Sequence, residues 1–150
     1  MKNRRILTII TILYTGFIFC NSMMPALESS KQSGHVLAAV LGIIDHIGWN
    51  GGWITEYLIR KAAHYTEYTV LGILLAAAVR SYSFETSFRR ILQCFLGLLI
   101  PFADETIQLF VEGRSGQISD VWLDMAGVFT GYLLIGIILR MKKAGKKNRS

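Results

Sequence analysis

The chain has 150 residues, of which 52% are hydrophobic and 17% charged, and its formal net charge is +6. A soluble single domain of this size would not hide that much apolar sequence, so the composition predicts a small integral membrane protein. Positive charge can indicate nucleic-acid binding, but here the basic residues cluster at the chain ends and loop edges beside apolar runs. That placement is typical of membrane orientation, so we expect no nucleic-acid partner.

The first apolar segment covers residues 6–24 and follows Lys2, Arg4 and Arg5. A secretory signal peptide has a similar basic start and apolar middle. This apolar run is long for a signal peptide, however, and no small-residue cleavage site follows it. We therefore predict a first transmembrane helix.

Residues 25–60 are mixed in character. Pro25 ends the first helix, residues 27–34 (LESSKQSG) are polar and turn-like, and residues 35–49 have apolar length for only three to four helical turns. Trp49 and Trp53 flank a glycine break, and indole rings favour the membrane interface. We predict a short amphipathic helix on the outer membrane surface. An ordinary helix that caps the bundle remains the alternative.

Three further spans are predicted over residues 61–79, 91–110 and 121–139, the last capped by Ser119 or Asp120. A basic tail over residues 140–150 completes the chain and is expected to be disordered at its end. The predicted fold is all-α: a single membrane domain of four transmembrane helices, with the short interfacial helix between spans 1 and 2.

Charge predicts the orientation of these spans. All but four of the 16 basic residues lie in the N-terminus, the loop over residues 80–90 and the tail, whereas only Glu85 of the ten acidic residues lies on that side. By the positive-inside rule, we expect a multi-pass membrane protein with both termini in the cytoplasm. Cys20 and Cys94 then lie at opposite ends of their helices and cannot form a disulfide.

Polar residues recur at helical spacing in the outer halves of three spans. Charge in an apolar segment is costly unless it is paired or used, so these residues are expected to meet in one site. The set is Lys61, His64, Glu67 and Tyr68 on the second span, Asp104, Glu105 and Gln108 on the third, Arg114 in the next loop, and Asp120 and Asp124 on the fourth.

The fourth span also carries a small-residue pair on the face of its two aspartates. Gly127 and Gly131 are four residues apart and lie on one helix side, which lets another helix approach closely. We also expect Arg114 to fold over a carboxylate below it. The predicted site is therefore a polar cluster in a four-helix bundle, open to the outside.

These motifs resemble the VanZ-like family of small bacterial membrane proteins. The resemblance rests on K-x-x-H-x-x-E-Y from Lys61, D-E-x-x-Q-x-F from Asp104 with a downstream arginine, and D-x-x-x-[ND]-x-x-G-x-x-x-G from Asp120. It covers residues 60–132 and the four-span layout, and it departs at Asp124, where the family more often has asparagine. It implies a place in the bacterial plasma membrane and a link to resistance against teicoplanin, a lipid-tailed glycopeptide, but supplies no biochemical mechanism.

Several functions fit this cluster. The candidate roles are catalysis for His64, Glu67, Asp104 and Glu105, and substrate binding for Lys61, Tyr68, Gln108, Arg114, Asp120 and Asp124. In the enzyme hypothesis, His64 or Glu67 is a general base acting on an outer-leaflet lipid or a lipid-linked cell-wall precursor. Lys61 and Arg114 hold its phosphate or carboxylate.

Three alternatives stay open. In the first, the charged residues only pair with one another and hold the helices together. In the second, a non-catalytic protein shields the envelope or binds a lipoglycopeptide tail. The third, an ion-coupled transporter, is disfavoured because the inner halves of the spans carry few ionisable groups.

Oxygen and imidazole ligands at His64, Asp104, Glu105 and Asp120 suit a divalent metal. No H-E-x-x-H or paired-histidine pattern supports one, so no metal or cofactor is predicted. The expected partners are membrane lipids, and the oligomeric state stays open.

Overall fold

Residues 2–147, described here by a computed structural model, form five α-helices and no strand. The helices are α1 (Lys2–Ser22), α2 (Ala26–His46), α3 (Glu56–Arg80), α4 (Thr86–Gln108) and α5 (Ile118–Lys147). Four of them, α1, α3, α4 and α5, are long and apolar enough to cross a membrane. The predicted all-α fold with four potential membrane spans is confirmed.

Helix α3 is the centre of the bundle, because it packs against each of the other four helices. The core is small and includes Ile18 of α1, Leu71 and Leu75 of α3, and Val128 of α5. Large apolar side chains instead cover the outside of the bundle; Leu133, for example, is 68% exposed. Apolar residues on both the inner and outer faces of a helix are expected when its outer surface meets lipid.

The tightest contact in the bundle joins α3 to α5. A Cβ atom added to Gly131 would lie 2.6 Å from the backbone nitrogen of Ile73, and one added to Gly127 would lie 2.7 Å from the carbonyl oxygen of Tyr65. Gly72 of α3 meets the backbone of Val128 in the same way. The predicted close approach at Gly127 and Gly131 is present, and its partner is α3.

Helix α2 differs from its prediction. It begins at Ala26, directly after Pro25, and therefore includes residues 27–34, which were predicted to form a turn. Serine, glutamine and glycine lower helix stability only by up to about 1 kcal/mol each, so packing against α3, where Ser33 is buried, can outweigh their propensity. Trp49 and Trp53 lie beyond the helix and are 71% and 69% exposed. The position of α2 relative to a membrane surface remains a prediction.

The boundaries of the last helix also differ from the sequence prediction. Helix α5 begins at Ile118, so Ser119 and Asp120 lie in its first turn instead of capping it. Its helical structure continues to Lys147, through most of the basic segment that was predicted as a tail. Two predictions concern residues 148–150, which lie outside the described residues. They are the disorder at the chain end and the cytoplasmic position of Arg149.

Candidate functional site

The candidate polar residues all lie at one end of the bundle. Helices α1 and α4 finish there, α3 and α5 begin there, and the connecting loop over residues 109–117 crosses it. We call this end the polar end. Its position follows from the alternating direction of the four long helices, which brings residues from four distant segments of the chain together.

A group of four ionisable residues forms the centre of the polar end. One potential ligand atom from each of His64, Asp104, Glu105 and Asp124 lies within 4.8 Å of those of the other three, and we call these residues the quartet. Asp104 and Asp124 are fully buried, and Glu105 is 4% exposed. The Nδ1 atom of His64 lies 3.7 Å from Oδ1 of Asp124, which is beyond hydrogen-bonding distance.

Two quartet carboxylates are held in place by hydrogen bonds. The Nε2 atom of Gln108 donates to Oδ2 of Asp104 at 3.2 Å and to Oε1 of Glu105 at 2.9 Å. The backbone N–H of Gln117 donates to Oε2 of Glu105 at 2.9 Å. Glu105 therefore ties α4 to the start of α5, and Gln108 orients both carboxylates.

Other buried atoms of the quartet have no hydrogen-bond partner among the described residues. They are Oδ1 of Asp104, both carboxylate oxygens of Asp124 and Nδ1 of His64, and the adjacent Tyr68 hydroxyl is also unpaired. Most buried polar atoms in proteins are paired, so a cluster of unpaired ones needs an explanation. The unpaired oxygens and the ring nitrogen are therefore free to contact a group that is not part of the chain.

Lys61 and Asp120 form a separate pair beside the quartet. The lysine ammonium contacts Oδ1 of Asp120, and the two side chains are 16% and 19% exposed. The ammonium nitrogen also lies 5.1 Å from the centroid of the Tyr57 ring. Asp120, which the sequence suggested as a possible metal ligand, therefore does not belong to the quartet, whereas Asp124 does.

Arg114 makes different contacts from those predicted. Its guanidinium donates to the carbonyl oxygens of Met24 and Asn21 and to Oε1 of Gln108, and it hydrogen-bonds to no carboxylate of the described chain. Carbonyls at a helix C-terminus lack helical partners, which explains why they attract the guanidinium. Burial lowers the pKa of Arg114 from its ordinary value, and the nearby Asp104 carboxylate opposes that change. Arginine remains cationic under such conditions.

Glu67 is not a member of the quartet. Its Oε1 accepts a hydrogen bond from the Asn21 side chain at 2.9 Å, and with His64 it lines a cavity of about 540 Å³ between α1, α2 and α3. Arg60 and Arg114 also line this cavity. Asn21 was not predicted as part of the site. Its signal in the sequence was the Asn21–Ser22 pair that interrupts the apolar first segment.

The predicted residues thus fall into three neighbouring groups. The quartet has Gln108 and Tyr68 against it, the pair of Lys61 and Asp120 lies beside it, and Glu67 with Arg114 lines the cavity. His64 is shared, because it lines the cavity and also belongs to the quartet. His64 therefore lies between the cavity and the buried carboxylates.

The fold and the site together define a small multi-pass membrane protein with a buried polar site at one end. The family model described as VanZ/LLP1 matches residues 6–139, so the chain belongs to this family. The resemblance seen in the three sequence motifs is thereby confirmed. No curated protein and no solved structure shows significant similarity to the chain.

Proposed function

We propose that this VanZ/LLP1 protein acts in the bacterial cell envelope, where its polar end faces outward and its cavity binds the head group of an outer-leaflet lipid or lipid-linked cell-wall precursor. The observation that carries the proposal is the shared position of His64, which connects an open cavity to three buried carboxylates. Ionisable residues inside a membrane bundle are expected to serve a function.

The cavity matches an anionic lipid in size and charge. Its volume of about 540 Å³ is in the usual range for small-molecule sites. Arg60 and Arg114 provide positive charge for a phosphate or carboxylate, and Val36 and Ile59 provide apolar surface for the start of an acyl chain. Helix α2, which packs on no other described helix than α3, borders the cavity on one side.

His64 and Glu67 are the groups available for acid–base chemistry at the bound head group. Both line the cavity; the imidazole lies beside Asp124 without a hydrogen bond to it, and the Glu67 carboxylate accepts from Asn21. A general base needs access to the substrate proton, which both residues have, and the Asn21 hydrogen bond also fixes the orientation of Glu67. The proposed reaction is therefore proton abstraction at a lipid head group, with the arginines binding its charged oxygens.

Growth in teicoplanin tests this proposal. We expect a susceptible bacterial strain that expresses the chain to tolerate more antibiotic, and His64→Ala and Glu67→Gln each to return tolerance to the level of cells without the chain. Glu67→Gln preserves side-chain shape and removes only the base. Membrane levels of each variant are measured by immunoblot, and Asp45→Asn, an exposed change on α2, should retain the full effect.

Two results would contradict the proposal. Full tolerance in both His64→Ala and Glu67→Gln would exclude acid–base chemistry at this site, and an unchanged tolerance in cells with the wild-type chain would exclude the envelope role as stated. Loss of tolerance in Trp49→Ala and Trp53→Ala alone would favour a protein that shields the envelope without catalysis, since these exposed indoles could lie in the membrane interface.

A further inference from the structure

From the quartet we infer a binding site for one divalent metal ion, Mn²⁺ or Zn²⁺, ligated by His64, Asp104, Glu105 and Asp124. This deepens the proposed function, because the ion would lie where the quartet meets the lipid cavity. His64 would then ligate the ion through Nδ1 and keep its proton on Nε2, which leaves Glu67 as the general base. The inference does not depend on a growth phenotype and is tested by metal binding alone.

The geometry supports a single ion. In a tetrahedral site with bonds of about 2.1 Å, the ligand atoms are about 3.4 Å apart. The quartet atoms already lie within 4.8 Å of one another, so the widest pair needs to approach by no more than about 1.4 Å to complete the coordination. The four ligands come from α3, α4 and α5, so the ion would join three helices.

The unpaired atoms provide a second, independent observation. Asp124 is fully buried, and neither of its carboxylate oxygens has a hydrogen-bond partner among residues 2–147. Oδ1 of Asp104 and Nδ1 of His64 are unpaired in the same small space. A metal ion would bind these atoms through their free lone pairs. A buried polar atom that has no partner costs folding free energy.

Charge also favours a cation. Three buried carboxylates lie in the quartet, yet neither nearby cation hydrogen-bonds to it: Lys61 contacts Asp120, and Arg114 binds Gln108 and two backbone carbonyls. Buried charges in proteins are normally paired or bound to metal. A divalent ion would neutralise most of this negative charge at once.

The surroundings of the quartet resemble those of a metal site. Gln108 donates to Asp104 and Glu105, and the backbone N–H of Gln117 donates to Glu105. Such hydrogen bonds from outside the ligand set fix ligating carboxylates in position. His64 also lines the open cavity, which gives an ion a path of entry.

The donor set selects the kind of ion. Carboxylates suit Mg²⁺, Ca²⁺ and Mn²⁺, whereas an imidazole ligand favours transition metals such as Zn²⁺. One imidazole with three carboxylates is a mixed set that both Mn²⁺ and Zn²⁺ accept. Mg²⁺ and Ca²⁺, which prefer oxygen ligands alone, are expected to bind more weakly.

The test measures metal binding to the full chain in detergent micelles after removal of metal with a chelator. We expect about one Mn²⁺ or Zn²⁺ per chain by titration calorimetry and elemental analysis, with a higher melting temperature when metal is bound. Asp124→Asn, which keeps the side-chain shape, should weaken binding by at least about tenfold. The matched change Asp45→Asn on the exposed face of α2 should bind as the wild type does.

Two outcomes would overturn the inference. One is a wild-type chain that binds neither Mn²⁺ nor Zn²⁺; the other is metal binding that Asp124→Asn leaves unchanged. Because the wild-type titration needs no variant, misfolding of a mutant cannot hide the answer. If the chain confers teicoplanin tolerance but binds no metal, the metal site is wrong and the proposed function stands. If the chain binds metal but confers no tolerance, the proposed function is wrong and the metal site stands.

Discussion

Replacing Gly131 by leucine is expected to prevent stable packing of α5 on α3. The Cβ atom alone would lie 2.6 Å from the Ile73 backbone nitrogen, and the obstacle is backbone, which cannot move aside without separating the helices. Overpacking in a well-packed core costs about 1–3 kcal/mol, and an obstruction by backbone is expected to cost at least about 3 kcal/mol. Thermal unfolding of the purified protein in detergent, followed by circular dichroism, measures the loss.

Gly136→Leu is the matched control for this change. Gly136 lies on the same helix, and a Cβ atom there would have no neighbour within 4 Å, so the identical substitution should leave stability nearly unchanged. Equal melting temperatures for Gly131→Leu and the wild type would contradict the close contact of Gly131 with the α3 backbone at Ile73.

Glu105→Ala is expected to destabilise the polar end by roughly 2 kcal/mol, since it removes acceptors for the buried Gln108 side chain and for the part-buried backbone N–H of Gln117. Each of these donors lies 2.9 Å from a Glu105 oxygen. Losing the second bond also frees the start of α5 from α4. Denaturation measured in the presence of a chelator separates this effect from any contribution of bound metal.

The corresponding control is Glu112→Ala. Glu112 has an exposed side chain, and its role in the loop is through its backbone carbonyl, which accepts from the Ala26 N–H at 3.1 Å and is unaffected by the change. Its stability should match the wild type. If Glu105→Ala is as stable as Glu112→Ala, the Glu105 link between α4 and α5 is not important to the fold.

The long apolar helices and the close contact at Gly131 were predictable because each depends on local pattern. Four long apolar segments have few alternatives to crossing a membrane, and two glycines four residues apart produce a smooth helix face wherever they occur. The partner of that face was not predictable, because any of three helices could have packed there. Only the folded structure shows that the partner is α3, where Gly72 meets the backbone of Val128.

The site was predictable as a set of residues but not as an arrangement. Helical spacing placed His64 and Glu67 on one broad face of α3, and both do line the cavity, but only His64 also belongs to the quartet. Arg114 was expected on a carboxylate and instead binds the carbonyls at the end of α1, since the position of a helix end relative to a distant loop is a tertiary property. Helix α2 was missed over residues 27–34 because packing on α3 outweighed weak local propensity.

Asp124 shows how helix packing positions a side chain of the candidate site. Its carboxylate is fully buried since Gly127, one turn further along α5, lets the helix approach α3 at Tyr65 and Tyr68. The same close approach brings the carboxylate beside His64. Helix packing and the polar site are therefore two results of one small-residue face.

The central claim, that the polar end faces outward, is tested most directly by cysteine accessibility in living cells. Cys20 and Cys94 are both free and exposed, so each is first replaced by serine, and Ser115→Cys or Glu85→Cys is then introduced at an exposed loop position at opposite ends of the bundle. We predict that a membrane-impermeant maleimide labels Ser115→Cys in intact cells and labels Glu85→Cys only after the cells are opened. Labelling of Glu85→Cys in intact cells, with Ser115→Cys protected, would contradict the outward-facing site.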